Sequence, residues 1–249
     1  MDDELWAHSV NGRGVRHLLA DHLRGTAALA RTFGDAFGAG DLAGFLGLTH
    51  DVGKSECGWQ QGLLAVDGTH GSVGIDHKYA GTWLAQRAVG PFAMCIDGHH
   101  GGLQTLDGLK GRLRKAAPEL ISEWEATAAR AASVVPEITT GSASLVPAWA
   151  AGSWEKDPLA VEMLARLVFS CLVDADFLDT EAHFSGASRP VSHAPIGGLA
   201  GRYETRRAEL LAKREPSPAD QSRADRHRAL EIVGERGGDH GLDEAARPG

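Results

Sequence analysis

Apolar residues in this chain recur at helical spacing and nowhere alternate convincingly, and that pattern predicts an all-α fold. The strongest late stretch, Leu159 to about Leu178, carries Met163, Leu164, Leu167, Val168, Cys171, Leu172 and Ala175 as an apolar stripe. A first helix is predicted from about Val15 to Phe37, with Leu18, His22, Leu29, Phe33 and Phe37 on one face and Gly38 and Gly40 ending it. A second runs from Asp41, a good N-cap, to His50-Asp51, with Gly53 as its C-cap. A Gly-rich loop, GLLAVDGTHGSVGID, precedes a helix over His77 to Val89, and Phe92 to His99 reads as a short apolar helix. Residues 106–132 read as one or two helices with a solvated face, Pro136 to Pro158 and 183–200 as loops, and Arg202 to Arg214 as a charged helix. Residues 1–214 are expected to form one domain, followed by a disordered or weakly helical tail over 215–249.

The chain has 249 residues and a formal net charge of −8, so bulk charge does not hold it on nucleic acid; a local patch, a metal or a partner must. Its 3 cysteines form no CxxC, which disfavours a disulfide framework and fits a reducing compartment. The polar, acidic N-terminus does not read as a signal peptide, and the longest strongly apolar stretch, Leu167 to Val173, is far too short to span a bilayer. A cytoplasmic protein is expected.

Histidine is the outlying residue type, at 12 against 6 lysines. His22 lies on the apolar face of the first helix. His50 and Asp51 close an apolar helix, where an imidazole nitrogen and a carboxylate with two oxygens can converge on cations. His77 starts a helix, His99 and His100 end another, and Asp174, Asp176 and Asp179 cluster at the end of the late one. Carboxylates at a helix C-terminus oppose the macrodipole. Each residue alone has a bland reading: a core histidine, a surface turn, a solvated charge. Together, five separate segments place metal-ligand types at or inside apolar helices.

This ordered set, H…HD…H…HH…D, resembles the HD-domain metal-dependent phosphohydrolases. More narrowly it resembles the HD nuclease domain of the CRISPR-associated nuclease-helicase of type I systems. The stretches that carry the resemblance are DHLRGTAALARTFG, GFLGLTHDVGK with WQQGLL after it, DHKYAGTWLA, CIDGHHGGL and LARLVFSCLVDADFLDTE, spanning roughly residues 17–185. The resemblance implies an HD-domain helical fold with a dinuclear metal site. His22, His50, Asp51 and Asp176 would form one site; Asp51 would bridge to a second, completed by His77, His99 and His100. Lys54 would steady a phosphate. The DH-x-x-AG context favours His77 over the nearby His70, and the alanine-aspartate pattern favours Asp176 over Asp174.

The implied activity is metal-dependent cleavage of single-stranded DNA in antiviral interference, with two divalent transition ions (Mn, Fe, Ni, Co or Zn). The implied partners are a guide-RNA-loaded surveillance complex and a separate helicase. The basic residues Lys110, Arg112, Arg114 and Lys115 are candidates for holding a strand, or equally a solvated helix face. Gly53-Lys54-Ser55 misses the P-loop spacing, with five residues after Gly47 rather than four, so ATP use is not expected. A general HD phosphohydrolase acting on nucleotides or phosphate monoesters, and a non-catalytic module stapled by metal, are the competing classes.

Overall fold

The computed structural model describes residues 4–67, 69, 71–103, 105–139, 145–151, 156–189 and 196–212. The expected tail over 215–249 and His70 lie outside the described residues. Met1–Arg189 form one compact unit and Pro190–Gly249 a second; the second is described through a single helix, Ile196–Ala212, which starts six residues before the expected Arg202.

The fold is all-α, as the apolar spacing requires. In the first unit a short antiparallel ribbon, β1 (Trp6–His8) and β2 (His17–Leu18), leads into α1 (Leu19–Asp35), α2 (Gly40–Thr49), α3 (Cys57–Val66), α4 (Lys78–Val89) and α5 (Met94–Gly98). Then come α6 (Leu106–Lys115), α7 (Pro118–Val134) and α8 (Pro158–Ser185). No helix among the described residues is long and apolar enough to cross a membrane.

α2 is the central element. Leu42, Ala43, Phe45 and Leu46 are buried on successive faces, so the helix is apolar all round and its neighbours α1, α4, α5 and α8 must cover it. Fully burying a side chain such as Leu46 contributes about 1.5–3 kcal/mol. One core cluster joins α2 to Phe92, Ile96, Leu164, Val168 and Leu172; a second joins Leu19, Leu23 and Val52 to Trp124 and Val135. The end of α2 thus emerges between the two clusters.

Several local expectations are corrected. α1 begins at Leu19, because Leu18 pairs with Trp6 in the ribbon; Leu19, His22, Leu23, Thr26 and Ala30 are among its buried residues, and Leu29, Phe33 and Phe37 pack partly buried against the core. Asp41 lies inside the first turn of α2, paired with Arg31, while Ala39 is the N-cap. Gly53 is not a C-cap; it lies in a 3₁₀ turn over Val52–Ser55. The first five residues of the supposed Gly-rich loop finish α3, a helix capped by Glu56, whose carboxylate accepts from the N–H groups of Gly58 and Trp59. On α8, which runs on to Ser185, Met163 and Leu167 are exposed, and Val161 and Ala165 take their places in the buried stripe.

Candidate metal centre

The centre is built where α2 ends. His50 keeps helical backbone angles, while Asp51 (φ −108°, ψ 19°) leaves the helix for the 3₁₀ turn, which directs the adjacent side chains to a common point. The Ser55 hydroxyl donates to Thr127 O (2.7 Å) and so anchors the turn on α7. Gln60 on α3 donates to Lys54 O (2.6 Å) and Trp6 O (2.8 Å), tying the same turn to the ribbon. Gly53 is required here by close approach: a Cβ would overlap the backbone carbonyl of His77. That contact seats His77, the N-cap of α4, beside Asp51.

Asp51 is 1% exposed, and its two oxygens face different groups. Oδ2 lies 3.2 Å from His22 Nε2 and 3.4 Å from His50 Nε2. Asp176 Oδ1 stands on the same side, 3.4 Å from His22 Nε2 and 3.5 Å from His50 Nε2. Oδ1 faces the other way, 3.2 Å from His77 Nε2 and 3.4 Å from His99 Nε2. His100 Nε2 meets His77 Nε2 at 2.9 Å. Within each group, His22–His50–Asp51–Asp176 and Asp51–His77–His99–His100, one ligand atom per residue lies within 4.8 Å of all the others.

The imidazoles are pre-set by the backbone. His50 Nδ1 donates to Gly47 O (2.8 Å) and His99 Nδ1 to Ile96 O (2.6 Å), each one turn back on its own helix. Both rings therefore turn Nε2 toward Asp51. His50 Nε2, His99 Nε2 and Asp51 Oδ1 are buried with no hydrogen-bond partner. An orphaned buried polar atom costs about 1–3 kcal/mol, and a carboxylate oxygen and two imidazole nitrogens orphaned side by side mark a place where a cation fits. The donor set, neutral imidazoles plus carboxylate, suits Fe, Mn, Co, Ni or Zn better than Mg or Ca.

Electrostatics follow from the same packing. Burial alone pushes the Asp51 carboxyl up, but the charges of His50, Lys54 and His77 outweigh it and hold the group well below the usual carboxylate range. Burial pushes His50 down, yet Asp51 and Asp176 outweigh that and raise it to about 10. Asp176 is held below the usual range, burial being outweighed by His50. His100 is pushed down to about 4, chiefly by burial and then by His99, so its ring is neutral near pH 7. The floor of the site (His22, His50, Asp51, His99) is buried; Asp176, His77 and His100 form a rim that is open to solvent.

Every residue of the expected set is therefore adjacent in space. Lys54 is 5% exposed, with Nζ 2.5 Å from Asp51 Oδ2 and 5.5 Å from the Trp59 ring centre. Asp174 is exposed and outside both groups, whereas Asp176 is within one. Of the basic residues on α6, Arg112 pairs with the buried Asp97 and locks α6 onto α5, leaving Lys110, Arg114 and Lys115 exposed. Asp179, which in the sequence is one member of the acidic cluster at the end of the late helix, takes a hydrogen bond on Oδ2 from His22 Nδ1 at 2.7 Å. Its signal was the spacing of three from Asp176, which puts both carboxylates on one face of α8.

A comparison with curated proteins returned no match. A family model described as "Cas3, HD domain" matches residues 3–171, about two thirds of the chain, including six of the seven metal-ligand candidates, with Asp176 just beyond its end. The all-helical fold, the HD pair at the end of the central helix and this match agree: the chain belongs to the Cas3 HD-domain family, a family of HD-type metal-dependent hydrolases.

Proposed function

We propose that the protein is a metal-dependent nuclease that hydrolyses the phosphodiester bonds of single-stranded DNA. We assign it a pair of divalent transition ions: one on His22, His50, Asp51 and Asp176, the other on Asp51, His77, His99 and His100. The observation that carries this reading is Asp51, a buried carboxylate whose two oxygens each face a separate set of imidazoles. Ions held by these residues would supply Lewis-acid chemistry for phosphodiester hydrolysis: charge to hold a scissile phosphate and a lowered pKa for water.

The chain's own residues then divide the work. Asp51 would be the anchor common to both ions. His50 and His99, turned by their own helices, hold the floor rigid. His77, His100 and Asp176 form the rim that a substrate phosphate reaches first. Lys54 reaches a phosphate only by leaving Asp51 Oδ2, and an ion on that oxygen would drive it off by repulsion. The local cations would also explain how a chain of net charge −8 holds an anionic strand.

A single strand can bend one phosphate into the rim; a stiff duplex would first have to be opened, at about 1.4 kcal/mol per base-pair step. The residues in hand contain no P-loop. We infer a role in CRISPR interference, in the cytoplasm, in which a helicase and a guide-RNA-loaded surveillance complex expose the strand. The test compares labelled single-stranded and duplex DNA with Mn²⁺, Co²⁺ or Ni²⁺, with and without ATP. Metal-dependent, ATP-independent cleavage of the single strand is expected. Faster turnover of nucleotides or phosphate monoesters would instead make the protein a general HD phosphohydrolase, and equal rates on both DNA forms would overturn the strand preference.

A further inference from the structure

His22 has two ring nitrogens, and only Nε2 faces Asp51 and Asp176. Nδ1 donates to Asp179 Oδ2 at 2.7 Å. The seat of Asp179 is built from three directions. On α8 it lies one turn beyond Asp176, on the same side of the helix. On α1 itself, Gly25 leaves the space that the carboxylate fills, since a Cβ there would overlap Asp179 Oδ1. From the ribbon, His17 stands with Nε2 3.7 Å from Oδ2, too long for a hydrogen bond but close enough to flank the carboxylate. The rings of His8 and His17 wall the outer edge of His22, at centroid distances of 4.7 and 5.3 Å.

His8, His17 and His22 also bring three ring nitrogens within 4.8 Å, which suggests a third ion site. A neutral imidazole, however, has one lone-pair nitrogen. Donating Nδ1–H to Asp179 commits that lone pair to Nε2, on the Asp51–Asp176 side. One neutral ring cannot serve both groups.

We propose that Asp179 is the positioning residue of the metal centre. It fixes the tautomer and orientation of His22, and this rests on the reading of His22 as a ligand. Losing such an outer partner costs typically about 10- to 100-fold in metal affinity.

The test is a Co²⁺ titration of the metal-free full chain, followed by visible ligand-field absorption. Two variants are compared with wild type. Asp179→Asn keeps the shape and removes the charge. Gly25→Ala alters no ligand, favours the helix, and pushes the carboxylate off His22; it carries the test if Asp179→Asn fails to fold. Each is expected to weaken one Co²⁺ equivalent by about 10- to 100-fold, with a changed spectrum, and to leave the other equivalent as in wild type. Nuclease activity at limiting Mn²⁺ should fall and return when Mn²⁺ is raised. Wild-type affinity and spectrum in both variants, while His22→Ala loses an equivalent, would overturn the role of Asp179 alone. Retention of both equivalents by His22→Ala would overturn the ligand assignment and Asp179's role with it.

Discussion

Asp51→Asn in the metal-free protein should cost about 3–5 kcal/mol of folding stability, the usual penalty for stranding one partner of a buried ion pair. The Asp51 side chain is 1% exposed and the Lys54 side chain 6%, with Nζ and Oδ2 2.5 Å apart. Asparagine keeps the volume, so the loss comes from charge and not from a cavity. The ammonium left behind has the Trp59 ring at 5.5 Å, and a cation–π contact of about 0.5–2 kcal/mol does not replace a carboxylate. Lys54→Met, which keeps the apolar stem, should also destabilise, but Asn and Met together should recover about 2–3 kcal/mol of the summed single losses. The assay is urea unfolding in EDTA of the four proteins of the cycle. Single costs that add to within about 0.5 kcal/mol would refute the pairing. A second consequence has the opposite sign: Lys54→Met should tighten Mn²⁺ binding, because the ammonium no longer occupies the oxygen that faces His22 and His50. Weaker binding would show that Lys54 supports the centre and does not compete with the ion.

The metal-free protein should be most stable near pH 6.5. His50, raised from 6.5 to about 10, contributes stability that is complete below 6.5 and lost as pH rises toward 10. His17 and His100, each lowered from 6.5 to about 4, bind protons in the unfolded chain first, so stability also falls between 6.5 and 4. A urea midpoint in EDTA that climbs steadily from about pH 5 to 9 would contradict this balance. Gly53→Ala should destabilise by about 1–3 kcal/mol, as overpacking does, and should lose one of two Mn²⁺ equivalents in elemental analysis, because the added Cβ meets the backbone of His77; an unchanged metal content would show that this contact does not seat His77. Asp176→Ala should abolish cleavage while Asp174→Ala leaves it near wild type, since only Asp176 approaches His22 and His50; equal losses in a Mn²⁺-dependent assay would reopen the assignment. Ending the chain after Glu215 should leave melting temperature and metal content unchanged, because all seven candidate ligands lie within Met1–Arg189; a loss of several degrees would show that the tail packs.

Much of this protein was legible in its linear order. The three-and-four spacing of apolar residues dictates helices wherever it persists, while the central place of α2 came from its packing. The ligand types stood out because imidazoles and carboxylates at the ends of apolar helices lack a reason to be there unless they meet something. What the sequence did not disclose depends on contacts between segments far apart in it. β1 and β2 are too short to show alternation, and they exist because Gln60 on α3 ties Trp6 to the turn after Asp51. Lys54 reads as a phosphate contact in the motif, yet only the fold shows it buried against Asp51 Oδ2. Asp179 looks like one more charge at a helix end until α8 crosses α1 at Gly25 and delivers it to His22. Periodicity reports which face of a segment turns inward, because burial is a property of one residue at a time. Which inward residues meet is a property of pairs, and it is decided when α1, α2 and α8 come together around the end of α2.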